Sequence, residues 1–251
     1  MAMDPARYER FYEAIKRVLP QVPLARLPAG AIVLRSVGAS HKGVVPTPAS
    51  ASTIFGGATA DHRWSGARAR GAGKGALYVS LHLDALSNEL FHYADNNPAL
   101  PVNPVVGRVV AQDALKATRT FRFKTRSGLA LIDLSAASPA GTVFLRELGL
   151  RSSVKNALAA AHYVSARAAC DAAGDYSFSR ALAHAMLDTV PLIDGLKVTT
   201  ARDSWGHIGE TGENLVLFGA EGVPLPYLVP LSETVYDVDP SGKLTQTVNH
   251  L

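Results

Sequence analysis

A handful of polar side chains lie where apolar neighbours predominate. Arg35 closes the run Ala31-Ile-Val-Leu34, and Arg63 lies in Asp61-His-Arg-Trp-Ser-Gly66, just before a Gly-rich stretch. Tyr78 is inside Ala76-Leu-Tyr-Val-Ser80, and Glu89 falls in the segment that follows. Glu89 comes three residues after Leu86 and four before Tyr93, a helical spacing that puts its carboxylate on an apolar stripe. A carboxylate so placed needs a hydrogen-bonded partner or a chemical task, because desolvation penalises its charge. Two roles are open from these residues alone: an ion pair with an arginine that holds the fold, or a charge kept for a reacting group.

Better-known sites fail on spacing. Gly71-Ala-Gly-Lys-Gly75 lacks the Ser or Thr that follows Lys in a P-loop, and Arg68 stands where its first Gly is required. The histidines form no HExxH or similar ligand pattern, and the lone Cys170 permits neither an internal disulfide nor a Cys-pair zinc site. Ser40 is followed two residues on by Lys42 instead of Gly, so a nucleophile elbow is absent. No metal is expected. Lys and Arg number 25 against 21 acidic residues, and a pI near 9.2 suits an anionic partner.

The 251 residues, 47% of them apolar, suffice for a real core, and no apolar run approaches the ~18 residues of a membrane span. Asp4, Arg7, Glu9, Arg10 and Glu13 occupy the place of a secretory signal's apolar stretch, so a cytoplasmic site of action is expected. Tyr8, Phe11, Ile15 and Val18 predict an amphipathic helix over 7–19, ended by Pro20 and Pro23. Strands are predicted over 31–37, 76–81, 119–124, 130–134, 196–200, 214–218 and 235–238, and helices over 84–93, 154–173 and 178–188. Residues 41–60, rich in Ser, Thr, Pro, Gly and Ala, predict a long loop. Strands and helices interleave without a regular βαβ repeat, which predicts an α+β domain with a mixed sheet.

The order of these blocks resembles the RES-domain family, named for its Arg, Glu and Ser. Arg35 after a strand, Arg63-Trp-Ser-Gly66, Gly75-Ala-Leu-Tyr-Val-Ser80 and Glu89 carry the first part of the likeness. Leu131-Ile-Asp-Leu-Ser135, Leu148-Gly-Leu150, Ile193-Asp-Gly-Leu-Lys-Val-Thr-Thr200 and Glu213-Asn-Leu-Val-Leu-Phe218 extend it to about residue 220. The family's serine on the Asp-Gly strand appears as Thr200. Residues 1–28 then read as an N-terminal helical extension and 29–251 as the catalytic domain, with insertions near 38–61 and 136–180.

The resemblance implies a split mixed sheet like that of ADP-ribosyltransferase toxins, with flanking helices, and a cleft that accepts NAD⁺ as substrate. No prosthetic cofactor is implied. Cleaving the nicotinamide–ribose bond passes through an oxocarbenium-like ribose, for which Glu89 would be the stabilising carboxylate. Arg35 and Arg63 would hold the pyrophosphate, and Tyr78 the nicotinamide-ribose end. Thr200, Trp64 and Asn214 would complete the binding surface. The implied activity is that of an NAD⁺-degrading bacterial toxin, a glycohydrolase or phosphorylase, held in check by an antitoxin or immunity protein that blocks the cleft. Transfer of ADP-ribose to a protein is the alternative chemistry, and a non-catalytic basic module with a decayed cleft the alternative class. Neither a membrane nor a nucleic-acid partner is expected, delivery into another cell is compatible with the sequence, and oligomeric state is open.

Overall fold

The computed structural model describes residues 4–38, 64, 74–82, 118–172, 175–190, 192–199, 212–220, 223–241 and 244–251. In chain order these form α1 (Pro5–Lys16), β1 (Leu24–Leu27), β2 (Ile32–Gly38), β3 (Lys74–Ser80), β4 (Thr118–Thr125) and β5 (Leu129–Asp133). There follow α2 (Pro139–Leu150), α3 (Ser152–Ala160), α4 (Ala166–Asp171), α5 (Ser177–Thr189), β6 (Gly195–Thr199), β7 (Glu213–Ala220), β8 (Leu228–Val238) and β9 (Leu244–His250). The chain is α+β, as expected. The predicted loop 41–60 and helix 84–93 lie outside the described residues.

Nine strands form one mixed sheet in the order β1-β5-β6-β7-β3-β2-β4-β8-β9. Only β5 and β6 run parallel; every other neighbouring pair is antiparallel. Where a split sheet is expected, the hydrogen bonding is continuous, yet it narrows at one junction. There β2 and β3 share a single register pair, Leu34 opposite Ser80, whereas β2 is paired with β4 from Ile32 to Gly38.

Alternation along the strands sends apolar side chains to both faces. Ala76, Ile132, Leu196, Val198, Val216 and Phe218 join the helices in the larger core; Val33, Leu77, Val79, Phe121, Phe123, Leu131, Leu215 and Leu217 form a second core on the opposite face. Helix α5 lies deep in the larger core, with Phe178, Ala181, Leu182, Ala183, Ala185 and Met186 all at 0% exposure. A helix buried on nearly all sides carries its polar groups inward, and His184 answers this with a 2.6 Å hydrogen bond to the Tyr8 hydroxyl.

Residues 4–28 are part of this body. Asp4 caps α1 by accepting from the backbone N–H groups of Ala6 and Arg7, and Pro5 takes the first helical position, where no N–H is needed. Phe11 meets the Phe178 ring edge-on at 5.1 Å, and β1 pairs with β5 from Leu24 to Leu27. Residues 136–180, set apart above as an insertion, supply α2, α3, α4 and the start of α5 to the same core. Among the described residues no helix is long and apolar enough to cross a membrane.

Candidate functional site

The motif strands meet at one end of the sheet. Strand β3 ends at Ser80, which lies opposite Asn214 at the start of β7, and Tyr78 lies opposite Val216. Tyr78, Ser80 and Asn214 share the face of Ala76 and Val216, toward the helices. The Ser80 hydroxyl donates to Asn214 Oδ1 at 2.6 Å, and both residues are buried. Neighbouring apolar residues alone would not hold a carboxamide there, so the hydroxyl also fixes which way Asn214 turns.

Tyr78 is half-buried, and its hydroxyl accepts the backbone N–H of Trp64 at 3.1 Å. This contact spans 14 residues of sequence and fastens the immediate chain neighbour of Arg63 onto β3. The Trp64 ring itself is 5% exposed and packs in the larger core, so it is a packing side chain and its N–H is what meets the site. Sequence reading singled out Tyr78 and Asn214 and missed Ser80. Its signal was the two-residue period from Tyr78, which puts Ser80 on the same face.

Arg35 is placed apart from this group. It pairs in register with Phe121, whose ring belongs to the second core, and so projects from the face opposite Tyr78. The guanidinium is half-buried and has no carboxylate or hydrogen-bond acceptor among the described residues; desolvation pulls its pKa down to about 10. Arg35 still stands beside the narrow junction, one residue past Leu34. Arg63, Glu89 and Thr200 lie outside the described residues.

Several motif residues have structural work. The Asp194 carboxylate accepts the backbone N–H of Ala130 at 2.7 Å, its own N–H donates to the Ala130 carbonyl, and its carbonyl accepts from Phe218 N. One residue thereby aligns β5, β6 and β7 at their common end. At Gly195 a Cβ would fall 2.4 Å from the Val216 carbonyl oxygen, closer than side chains approach backbone. Asp133 accepts from both the backbone N–H and the hydroxyl of Ser135, turning the chain out of β5, and a Cβ at Gly141 would stand 2.3 Å from the Asp133 carbonyl. Thr199 is committed as well, its hydroxyl accepting the Ala136 N–H at 2.6 Å.

Lys197 bridges Glu213 at 2.7 Å and Asp133 at 3.6 Å, tying the opposite end of β5, β6 and β7 on the second face. The end of the sheet from which Thr200 follows in sequence is thus held by these ion pairs on one face and by the Ser80–Asn214 bond on the other. An aromatic hydroxyl, a carboxamide and a serine hydroxyl on one rigid strand end can orient a polar, planar ligand by hydrogen bonds. Compared with family models, curated proteins and solved structures, the chain matches none.

Proposed function

We propose that the chain is an NAD⁺-consuming enzyme that breaks the nicotinamide–ribose bond and passes the ribose carbon to water or inorganic phosphate. The observation that carries the reading is the bond between the Tyr78 hydroxyl and the Trp64 backbone, which draws together two motifs that the RES-domain resemblance assigns to one cleft. Support also comes from the next rung of the junction. The Leu81 N–H donates to the Glu213 carbonyl, so along β3 the backbone of alternate residues, Ser80 and Tyr78, faces β2. Ser80 meets Leu34 there, but the pair that would follow, Tyr78 with Ser36, is not formed. The ladder between β2 and β3 is thus reduced to one pair beside Tyr78, the place where an ADP-ribosyltransferase-like split would have to open.

In this reading Glu89 stabilises positive charge developing on the ribose as the neutral nicotinamide departs with the bonding electron pair. The incoming water or phosphate oxygen bonds the anomeric carbon and gives up its proton. Arg63 binds the pyrophosphate, Tyr78 holds the nicotinamide-ribose end, and Asn214, fixed by Ser80, offers its amide group. Arg35 is left for a phosphate that reaches across this narrow junction.

The test is nicotinamide release from NAD⁺ by the purified chain, with and without phosphate. Glu89→Gln is expected to keep the fold and lower turnover by ~10² or more, since the lost charge acts chiefly in the transition state. Arg63→Ala is expected to cost at least ~2 kcal/mol in kcat/KM. Thr200→Val should cost on the order of 1–3 kcal/mol where Thr199→Val, whose hydroxyl serves Ala136, leaves turnover unchanged. An active Glu89→Gln protein, or a folded wild type that releases no nicotinamide, overturns the reading.

A further inference from the structure

The two edges of the sheet are built differently. Strand β1 has four residues, Leu-Ala-Arg-Leu, and carries Arg26, so it is short and charged in the manner that discourages edge-to-edge pairing. Strand β9, Leu-Thr-Gln-Thr-Val-Asn-His, has seven residues, no Lys, Arg, Asp, Glu or Pro, and no register shift against β8. Residues 245–250 are all exposed, Val248 at 48%. Nothing in its sequence guards this edge.

The direction of its outer hydrogen-bonding groups follows from one bond. The Leu251 N–H donates to the Leu231 carbonyl at 3.0 Å, so with regular antiparallel alternation Leu251, Asn249, Thr247 and Thr245 turn their backbone groups toward β8. Gln246, Val248 and His250 turn theirs outward, away from the sheet. An antiparallel strand set against its own copy is related to it by a two-fold axis, and an axis at Val248 pairs every one of these outward groups. Val248 then exchanges N–H and carbonyl bonds with Val248 of the second copy, and Gln246 pairs with His250 on each side. The central side-chain contact is apolar, valine against valine, and no residue of β9 meets its own like charge.

We propose that β9 pairs with β9 of a second copy of this chain about a two-fold axis at Val248, joining two sheets into one. The inference is independent of the proposed activity. Strand pairing alone buries less than the ~1,000 Å² typical of a stable interface, so the dimer is concentration-dependent.

Sedimentation equilibrium of the full chain between roughly 1 and 500 µM tests it. The wild type is expected to pass from monomer to dimer within this range. Val248→Lys and Val248→Glu each place two like charges face to face and should each weaken the dimer roughly tenfold or more, with wild-type circular dichroism. Mixing the two variants brings Lys against Glu at the axis and should restore dimer, now a heterodimer. A wild type that stays monomeric, a Val248→Lys protein that dimerises as the wild type does, or a folded mixture that stays monomeric overturns the proposal.

Discussion

At the scale of single residues, what looks like a catalytic signature divides into two kinds of position. Asp194, Gly195, Asp133 and Gly141 are there because backbones pass within bonding or collision distance, while Tyr78, Ser80 and Asn214 present polar groups at a strand end with no comparable steric demand. Gly195→Ala is accordingly a stability variant. Its methyl would lie 2.4 Å from the Val216 carbonyl oxygen, a rigid neighbour, so a loss of about 2 kcal/mol, or roughly 4–8 °C in Tm, is expected by thermal melting, with the surviving folded fraction as active as wild type. Charge is placed with equal economy at Glu233, 5% exposed on β8 and ion-paired with Arg119 on β4. The hydrogen bond from Arg119 holds the Glu233 carboxyl below its ordinary 4.5, against the upward push of burial. A depressed folded-state value contributes stability that is complete above about pH 4.5 and is lost as pH falls through the folded value, because the unfolded chain takes up the proton first. Glu233→Gln should therefore cost about 1–3 kcal/mol in urea unfolding at pH 7 and less at a pH below 4.5, so that its acid limb is flatter than the wild type's. Parallel wild-type and variant curves at the two pH values would refute this role.

At the scale of elements, the sequence was legible where apolar residues recur at helical spacing or run together over the length of a strand. Tyr8, Phe11 and Ile15 announce α1, and the runs around Val33, Leu77 and Leu217 announce strands found within two or three residues of the predicted ends. What was not legible has physical causes. Strand β1 sits among Pro20, Pro23 and Pro28 and becomes a strand through its ladder with β5, not through its own pattern. Strand β9 is polar and exposed on both faces, and so has no alternation to read. The first half of β8 contains Pro230, at the place where its register with β4 shifts. The predicted helix 154–173 is two helices, α3 and α4, because His162 adopts φ 62°, a left-handed conformation that ends the first, and Ser165 caps the second by accepting the Ala168 N–H at 3.1 Å. A histidine pays a steric penalty in that conformation that glycine does not. His162→Gly is expected to raise stability by about 0.5–1 kcal/mol, read as a higher urea midpoint at unchanged slope; a lower midpoint would mean that the imidazole makes a compensating contact.

At the scale of the whole molecule, the sheet is one ladder with a weak rung, and this rung relates the candidate site to both faces. On the β2 side the Thr125 N–H donates to the Ala31 carbonyl at 2.9 Å, so Val33, Arg35 and Val37 turn their backbone groups to β4 while Leu34 and Ser36 turn theirs to β3. Leu34 finds Ser80; Ser36 faces Tyr78 across the place where no pair is formed. Backbone protection should follow this geometry. In the free protein the Ser36 amide is expected to exchange with deuterium at least ~10²-fold faster than those of Arg35 and Val37, because neighbouring amides of one strand are closed by different partners. The proposed function then makes a claim about the same rung. If NAD⁺ lies between Tyr78 and the β2–β3 junction, adding it to the inactive Glu89→Gln protein should slow exchange at Ser36 as well as around Tyr78 and Asn214. Arg35, which projects from the far face, is the residue that decides between two modes of binding. Slowing on β2 that is lost in Arg35→Ala would mean that the ligand reaches through the junction to the guanidinium. Slowing confined to β3 and β7, and unaffected by Arg35→Ala, would mean that it stays on the helix side and that the charge of Arg35 serves the second face alone.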